Sequence, residues 1–400
     1  MMNTIVQKFG GSSLAEDAQL RAVAERVART WRQGHPVVVV VSARGDTTSK
    51  LLASAGRFNT QPDHRELDML LAAGEQTSAS LLSLALQDLD VPACSMTGPQ
   101  AGVRTCSAHL NARIKAVEPG RILKALGEGK VVVVAGFQGA SPDGDITTLG
   151  RGGSDTTAVA IAAAVRAERC EIYSDVDGVY TADPRLVPEA IRLRALSLAE
   201  MKTLAHHGAG VLNERAIDYA LEHGVIIHAR KSHGEGGQTV VRKKADGGAS
   251  RIVGIAAHKN LVSIQFDETA DRQCLAEVLG EYEGFAPELA GKDSGCYLLP
   301  IDQLADVNGL AAALQHSFGD AVEIAYPLAS VSAVGFGAGE DGDILRLAAK
   351  NLTDAGIEVY QSFALAHAVT CMVAADQVAK ASQALHAGFG INSTEVADVA

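Results

Sequence analysis

Short apolar runs alternate with amphipathic stretches through the first half of the chain. Strands are predicted at Thr4–Lys8, Val37–Ser42, Val131–Gly136, Cys170–Ser174 and Val225–Ala229. Between them lie helical stretches from about Ala15 to Gln33, through Leu70–Leu89, from Thr156 to Ala167 and from near Asn213. Such alternation predicts a largely parallel sheet covered by helices. Val37–Val41 is an unbroken run of valine, the composition of a strand buried on both faces.

The pattern changes around Ser232–Ser250, where glycine and charge replace apolar periodicity, and a domain boundary is placed there. Beyond it the order reads strand, helix, strand, strand, helix, strand, from Leu261–Phe266 to about Ala321–Ala325, and a second pass opens at Ser330–Gly335. That order fits two small ferredoxin-like units. The expected division is 1–248, 249–327 and 328–400. A length of 400 residues agrees with more than one core.

Composition narrows the function classes. The chain is 47% hydrophobic with 40 glycines, as a globular α/β protein requires, and its formal net charge of −12 disfavours nucleic acid or an anionic membrane as partner. A local basic pocket remains compatible with that charge. Six cysteines form no CxxC pair and are expected to be reduced thiols, and no apolar run approaches the ~20 residues that span a bilayer. A cytoplasmic protein is the expectation.

Candidate chemistry clusters where strands end. Lys8, Gly10, Gly11 and Ser12 follow the first strand and precede a helix, an arrangement in which backbone amides, a helix N-terminus and a lysine can hold phosphate; an ordinary turn with a surface lysine reads equally well there. Ser42 to Thr48 forms a second small-residue loop at the edge where open α/β sheets bind ligands. The segment from Thr147 to Asp155 joins Arg151, Gly152, Gly153, Ser154 and Asp155 at a helix start. Arg151 suits a substrate carboxylate, the Gly153 and Ser154 amides suit phosphate, and Asp155 suits a lysine or a magnesium water, or a helix cap. A polar loop from Ser174 to Arg185 can receive a nucleotide, or be a turn.

Taken in order, KFGGSS, SARGDTT, LLAAGE, VVVAGFQG, TTLGRGGSDTTA and YSDVDGVYTADPR resemble the aspartate kinases of the amino acid kinase superfamily, closely through about residue 230. The C-terminal third is similar only in layout, to the paired ACT domains of that family. The resemblance implies an amino acid kinase fold followed by two ACT-like units, with ATP and Mg²⁺ used to phosphorylate the β-carboxylate of L-aspartate. It puts phosphate contacts on Lys8, Gly10 and Gly11, and aspartate contacts on Ser42, Thr48, Glu75, Phe137, Arg151 and Ser154. Asp155 closes the site, and nucleotide contacts fall on Ser174, Asp175, Tyr180, Asp183 and Arg185. Mg²⁺ is expected to arrive with ATP, without a dedicated protein ligand set, and a homodimer or larger homo-oligomer is expected through the ACT units. A second product from an internal start is not expected, because no methionine lies between Met201 and Met372.

Three departures stand out. Gly210 occupies the place of a lysine in the family's Gly-Ala-Lys-Val-Leu segment, with Lys231 as a distant substitute; Arg44 replaces an apolar residue; and the ACT signatures at Asp267–Asp271 and Tyr360–Ala364 differ from the family pattern. They suggest slower catalysis and weak or absent feedback by lysine and threonine. Kinases of glutamate, acetylglutamate, carbamate or a modified aspartate, and a binding protein without turnover, remain the alternatives. An NAD dehydrogenase lacks its GxGxxG loop here.

Overall fold

The computed structural model describes residues 3–234, 236–244, 252–266, 296–301 and 307–391. Its N-terminal part is built on β1 (Ile5–Phe9), β2 (Val37–Val41), β3 (Ala93–Met96), β6 (Val131–Ala135), β9 (Arg169–Ser174), β10 (Ala195–Ser197), β11 (Ile227–Lys231) and β12 (Gln238–Arg242). These eight strands form one sheet in the order β10-β12-β11-β9-β1-β2-β6-β3. Every pairing is parallel except β11 with β12. All five residues of β2 are fully buried, as its valine run requires. Each valine removed from water contributes on the order of 1.5–3 kcal/mol.

Helices cover both faces. α1 (Asp17–Arg32), with a reciprocal cap between Glu16 and Gln19, packs with α3 (His64–Asp88) over Phe9, Val37, Val39, Val41, Val133 and Tyr173. On the opposite face Val6, Val38, Val40 and Ile172 meet α5 (Gly153–Ala164), whose residues Ala158, Val159 and Ile161 are buried. α6 (Leu198–His206) and α7 (Glu214–His223) extend that layer, and α7 ends on Gly224 at φ 69°, a left-handed position that favours glycine. α2 (Thr47–Phe58) follows β2, and α4 (Gly120–Gly127) leads into β6. A smaller four-stranded sheet places β5 (Ile114–Val117), β4 (Val103–Thr105), β7 (Gln138–Ala140) and β8 (Ile146–Thr148) in that spatial order. The sequence pattern had not predicted it, because its strands are three or four residues long.

The C-terminal part is a five-stranded antiparallel sheet, β14-β13-β15-β17-β16, formed by β13 (Gly254–Phe266), β14 (Cys296–Pro300), β15 (Val322–Val334), β16 (Gln361–Leu365) and β17 (Ala368–Ala374). Helices α8 (Val307–Phe318), α9 (Gly342–Asp354) and α10 (Val378–Gly388) accompany it. Its strand pairing runs across the expected boundary between residues 327 and 328. Leu261–Phe266 pairs with Val322–Leu328 and, over Leu261–Gln265, with β14, whereas Gly254–His258 pairs with Ser330–Val334. Residues 254–258, expected in the first unit, therefore lie in the strand pairing of the second. The register shifts between His258 and Ser263 mark the crossover. The variant segment Asp267–Asp271 lies outside the described residues.

No clean apolar break separates the two parts. Ile252, Ile255, Ala256, Val331, Ala333 and Leu385 share one continuous core with Val179, Ala182, Leu204 and Ile227 of the N-terminal part. Buried polar contacts cross the same seam. Ile255 N donates to Thr181 O at 2.7 Å, His386 Nε2 lies 2.9 Å from Thr181 Oγ1, and Ser332 Oγ lies 3.1 Å from His207 Nδ1.

Candidate active site

Because β1, β2, β6 and β9 run parallel, their C-terminal ends open on one edge, and the loops that follow them meet there. Lys8 points from the penultimate position of β1 to Asp155 in the first turn of α5, with Nζ to Oδ1 at 2.6 Å and both side chains almost buried. Asp155 Oδ1 takes no hydrogen bond beyond that ion pair. The pair stands at a helix N-terminus where neighbouring amides favour an anion.

Glycine is needed around this pair for space. A Cβ on Gly11 would stand 2.5 Å from Ala43 O, and Gly45 N already donates to Gly11 O at 3.0 Å, so the first two loops touch backbone to backbone. A Cβ on Gly74 would come within 2.8 Å of Ala43 Cβ, and one on Gly136 within 2.9 Å of Ser154 Cβ. On Gly153 it would lie 2.9 Å from Phe137. Gly10 sits beside Lys8 Nζ, 3.5 Å from where its Cβ would be. These contacts gather Lys8, Gly10, Gly11, Phe137, Gly153, Ser154 and Asp155 at the edge, with Ser42 in the loop that touches Gly11.

Glu75 reaches the same loop from within α3. It is 3% exposed, its Oε1 accepts from Ala43 N at 2.9 Å, and Oε2 is buried without a partner. Burial pushes its carboxyl up to about 7, against the pull of the Ala43 amide. A buried carboxyl that titrates near neutrality, with one oxygen unspent, is equipped to meet a polar ligand.

Other residues read from the sequence stand apart. Thr48 is half-buried in the first turn of α2, and Arg151 is exposed with its carbonyl accepting from Asn213 Nδ2 at 3.3 Å. Ser174 ends β9 next to Tyr173, whose carbonyl would lie 3.9 Å from a Cβ on Gly10, and exposed Asp175 follows. Tyr180 donates to Asp177 Oδ1 at 2.8 Å, while Arg185 is exposed and forked onto Asp183 at 2.9 Å. Arg44 turns toward α1, donating to Leu14 O, Ala15 O and Asp17 Oδ1 at 2.7–3.0 Å. It ties the two loops together. Gly210 has open space where a side chain would start.

Sequence reasoning missed a support beneath the Arg151 loop. Asp68, fully buried on α3, accepts from Thr148 Oγ1 and Leu110 N, and its Oδ2 lies 2.7 Å from His109 Nδ1. Arg215 donates to Leu149 O at 3.0 Å and Asn111 Oδ1 at 2.6 Å. An acid one helical turn before Leu71 on an apolar face was the available signal.

The amino acid kinase family profile matches residues 3–229, more than half of the chain. The chain belongs to the amino acid kinase family. Aspartokinases are among its relatives. The enzyme of Mycolicibacterium smegmatis is 53% identical over 242 residues, 60% of this chain and 58% of that protein, so the match spans little more than half of the relative's length. The aspartate kinase structure from Synechocystis is 34% identical and aligns with 97% of this chain, which covers 69% of it at a TM-score of 0.55. Aspartokinase III of E. coli, solved with aspartate and ADP, shares the fold over 96% of this chain and 99% of its own at a TM-score of 0.80 and 24% identity.

Proposed function

We propose that this amino acid kinase transfers the γ-phosphoryl group of ATP to the β-carboxylate of L-aspartate, giving 4-phospho-L-aspartate. The observation that carries the reading is the Lys8–Asp155 pair set among glycine-walled loops at the parallel-sheet edge. Aspartokinase relatives support the choice of aspartate.

An aspartate side chain is anionic at neutral pH, so attack on phosphorus needs no general base. The barrier is the approach of two anions. Lys8 supplies positive charge beside the transferred group, the α5 N-terminus adds its partial charge, and Asp155 holds the lysine in place. In this reading Glu75 and Arg151 hold the ammonium and α-carboxylate of aspartate, with Ser42, Thr48, Phe137 and Ser154 completing that side, which requires the exposed Arg151 and the α2 start to close on the substrate. Ser174, Asp175, Tyr180, Asp183 and Arg185 receive the nucleotide, which requires the Asp183–Arg185 fork to open.

Magnesium fits this site as a passenger of ATP. Asp155, beside Lys8 at the start of α5, would hold a magnesium-bound water. Bound to the phosphates, the ion neutralises their charge.

The C-terminal sheet serves as a pair of ACT-like sensing units through which the chain assembles as a homo-oligomer, with weak response to lysine and threonine. Tyr360 is exposed and Gln361–Leu365 forms the edge strand β16, so the variant segment presents strand backbone at this position. No helix among the described residues is long and apolar enough to cross a membrane, in keeping with a cytoplasmic enzyme.

A hydroxamate assay for acyl phosphate, with MgATP and each of aspartate, glutamate and acetylglutamate, tests the reading. Product with aspartate alone, undiminished by lysine plus threonine, is expected. Product with another acid instead, or ATP binding without product, would reject the aspartate assignment; strong inhibition by the added amino acids would reject only the weak-feedback reading.

A further inference from the structure

On a protein of net charge −12, one cavity concentrates positive charge. It encloses about 320 Å³ between α1 and the segment that follows β11, and is lined by Arg26, Arg29, Arg230, Lys231 and the glycines at 234, 236 and 237. We propose that this cavity is an anion site for an oligophosphate group, separate from the Lys8–Asp155 centre.

The four cations are unequally committed. Arg230 donates to the buried Glu171 at 2.9 Å, and its guanidinium lies 5.7 Å from the centre of the Tyr173 ring. Arg26 donates to Gly234 O at 3.3 Å and lies 5.1 Å from the same ring centre. Both are held in place by these contacts. Arg29 and Lys231 make no ion pair with a described residue. Glu171 is itself shared among Arg230, Arg169, Gln7 and Tyr173, so it offsets only part of the charge of the described cations.

The glycines at 234, 236 and 237 bring backbone to the opposite wall, and two of them stand close to neighbours. A side chain on Gly237 would overlap the Arg192 guanidinium, and a Cβ on Gly236 would stand 3.0 Å from Asp177 Cβ. Bare backbone beside clustered guanidinium and ammonium groups is the environment in which phosphate oxygens replace water. Several cations within one cavity favour a ligand with more than one negative charge over a monocarboxylate.

The cavity borders the nucleotide loop. Ser232 N donates to Ser174 O at 2.8 Å, and Asp177, beside Gly236, receives the Tyr180 hydroxyl. A bound oligophosphate would thus brace the segment that packs against that loop. Two sources share this chemistry, the phosphate tail of a nucleotide and a free oligophosphate.

Calorimetric titration of the full chain with inorganic pyrophosphate, without magnesium, tests the proposal. Wild type and Lys8→Ala are expected to bind with similar affinity, and Arg29→Glu/Lys231→Glu to weaken binding by about tenfold or more, with affinity falling as salt rises. Absence of binding to wild type, or loss in Lys8→Ala with retention in the charge-reversed variant, would overturn it. ATP titrated into the same proteins separates the sources: an affinity that falls with the charge reversal assigns the cavity to the nucleotide's tail, and one that stays constant assigns it to a free oligophosphate. Aspartate-dependent hydroxamate read on the same preparations keeps this outcome distinct from that of the proposed activity.

Discussion

At the scale of single residues, Glu75 makes the sharpest prediction because its burial outweighs its single hydrogen bond and moves its titration to about 7. Its folded carboxyl binds a proton up to about pH 7 whereas the unfolded one releases it near 4.5. The folded state therefore holds more protons, and the associated stability is present below pH 4.5 and lost as pH rises through 7. The full swing is on the order of 3 kcal/mol. Glu75→Gln keeps the acceptor for Ala43 N and removes the titration. Denaturant midpoints should then match wild type near pH 4.5 and exceed it at pH 8, while KM for aspartate rises; equal pH slopes for the two proteins would contradict this account. Gly11 offers a second check, since Gly11→Ala must separate two backbones now in contact and should cost about 1–3 kcal/mol in a melting experiment. An unchanged melting temperature would show that the loops have slack.

At the scale of elements, Gly210 connects sequence to rate. The position at which the resemblance implies a lysine is open space here, so Gly210→Lys can be accommodated without displacing a neighbour. It should raise kcat/KM for ATP by about three- to tenfold through added charge near the phosphates; no gain would show that this turn does not face the nucleotide. Strands β1, β2, β6, β9 and β11 were legible from patterns such as the valine run of β2, whereas β3 and β10 are only four and three residues long and β12 lies within the Ser232–Ser250 stretch read as a boundary. The small sheet was not, because three-residue strands carry no period. Nor was the C-terminal pairing. The helix and strand expected after Leu261–Phe266 lie outside the described residues, and the pairing of Gly254–His258 with Ser330–Val334, about 75 residues on, leaves no local trace. Nor does the sequence tell where Arg44 points, which the fold turns onto the start of α1.

At the scale of the whole molecule, the kinase part and the C-terminal sheet are joined by a common core and by His207, which burial and two neighbouring histidines hold down to about 3. The unfolded state binds the proton first, so this contribution to stability is present above pH 6.5 and lost as pH falls toward 3, with a ceiling on the order of a few kcal/mol. His207→Asn should flatten acid denaturation over that window and leave the neutral-pH slope unchanged; an acid limb identical to wild type would remove His207 from the seam's energetics. The seam also touches Thr181 through Ile255 and His386, so under the proposed sensing role the C-terminal sheet has a short route to the proposed nucleotide loop. The measurement that tests the central claim most directly is a comparison of kcat for aspartate-dependent acyl phosphate formation with ATP affinity in wild type and Lys8→Ala. The account predicts a fall in kcat of about 10²–10³-fold with ATP affinity changed by less than about tenfold. A variant that keeps near-normal kcat would contradict it.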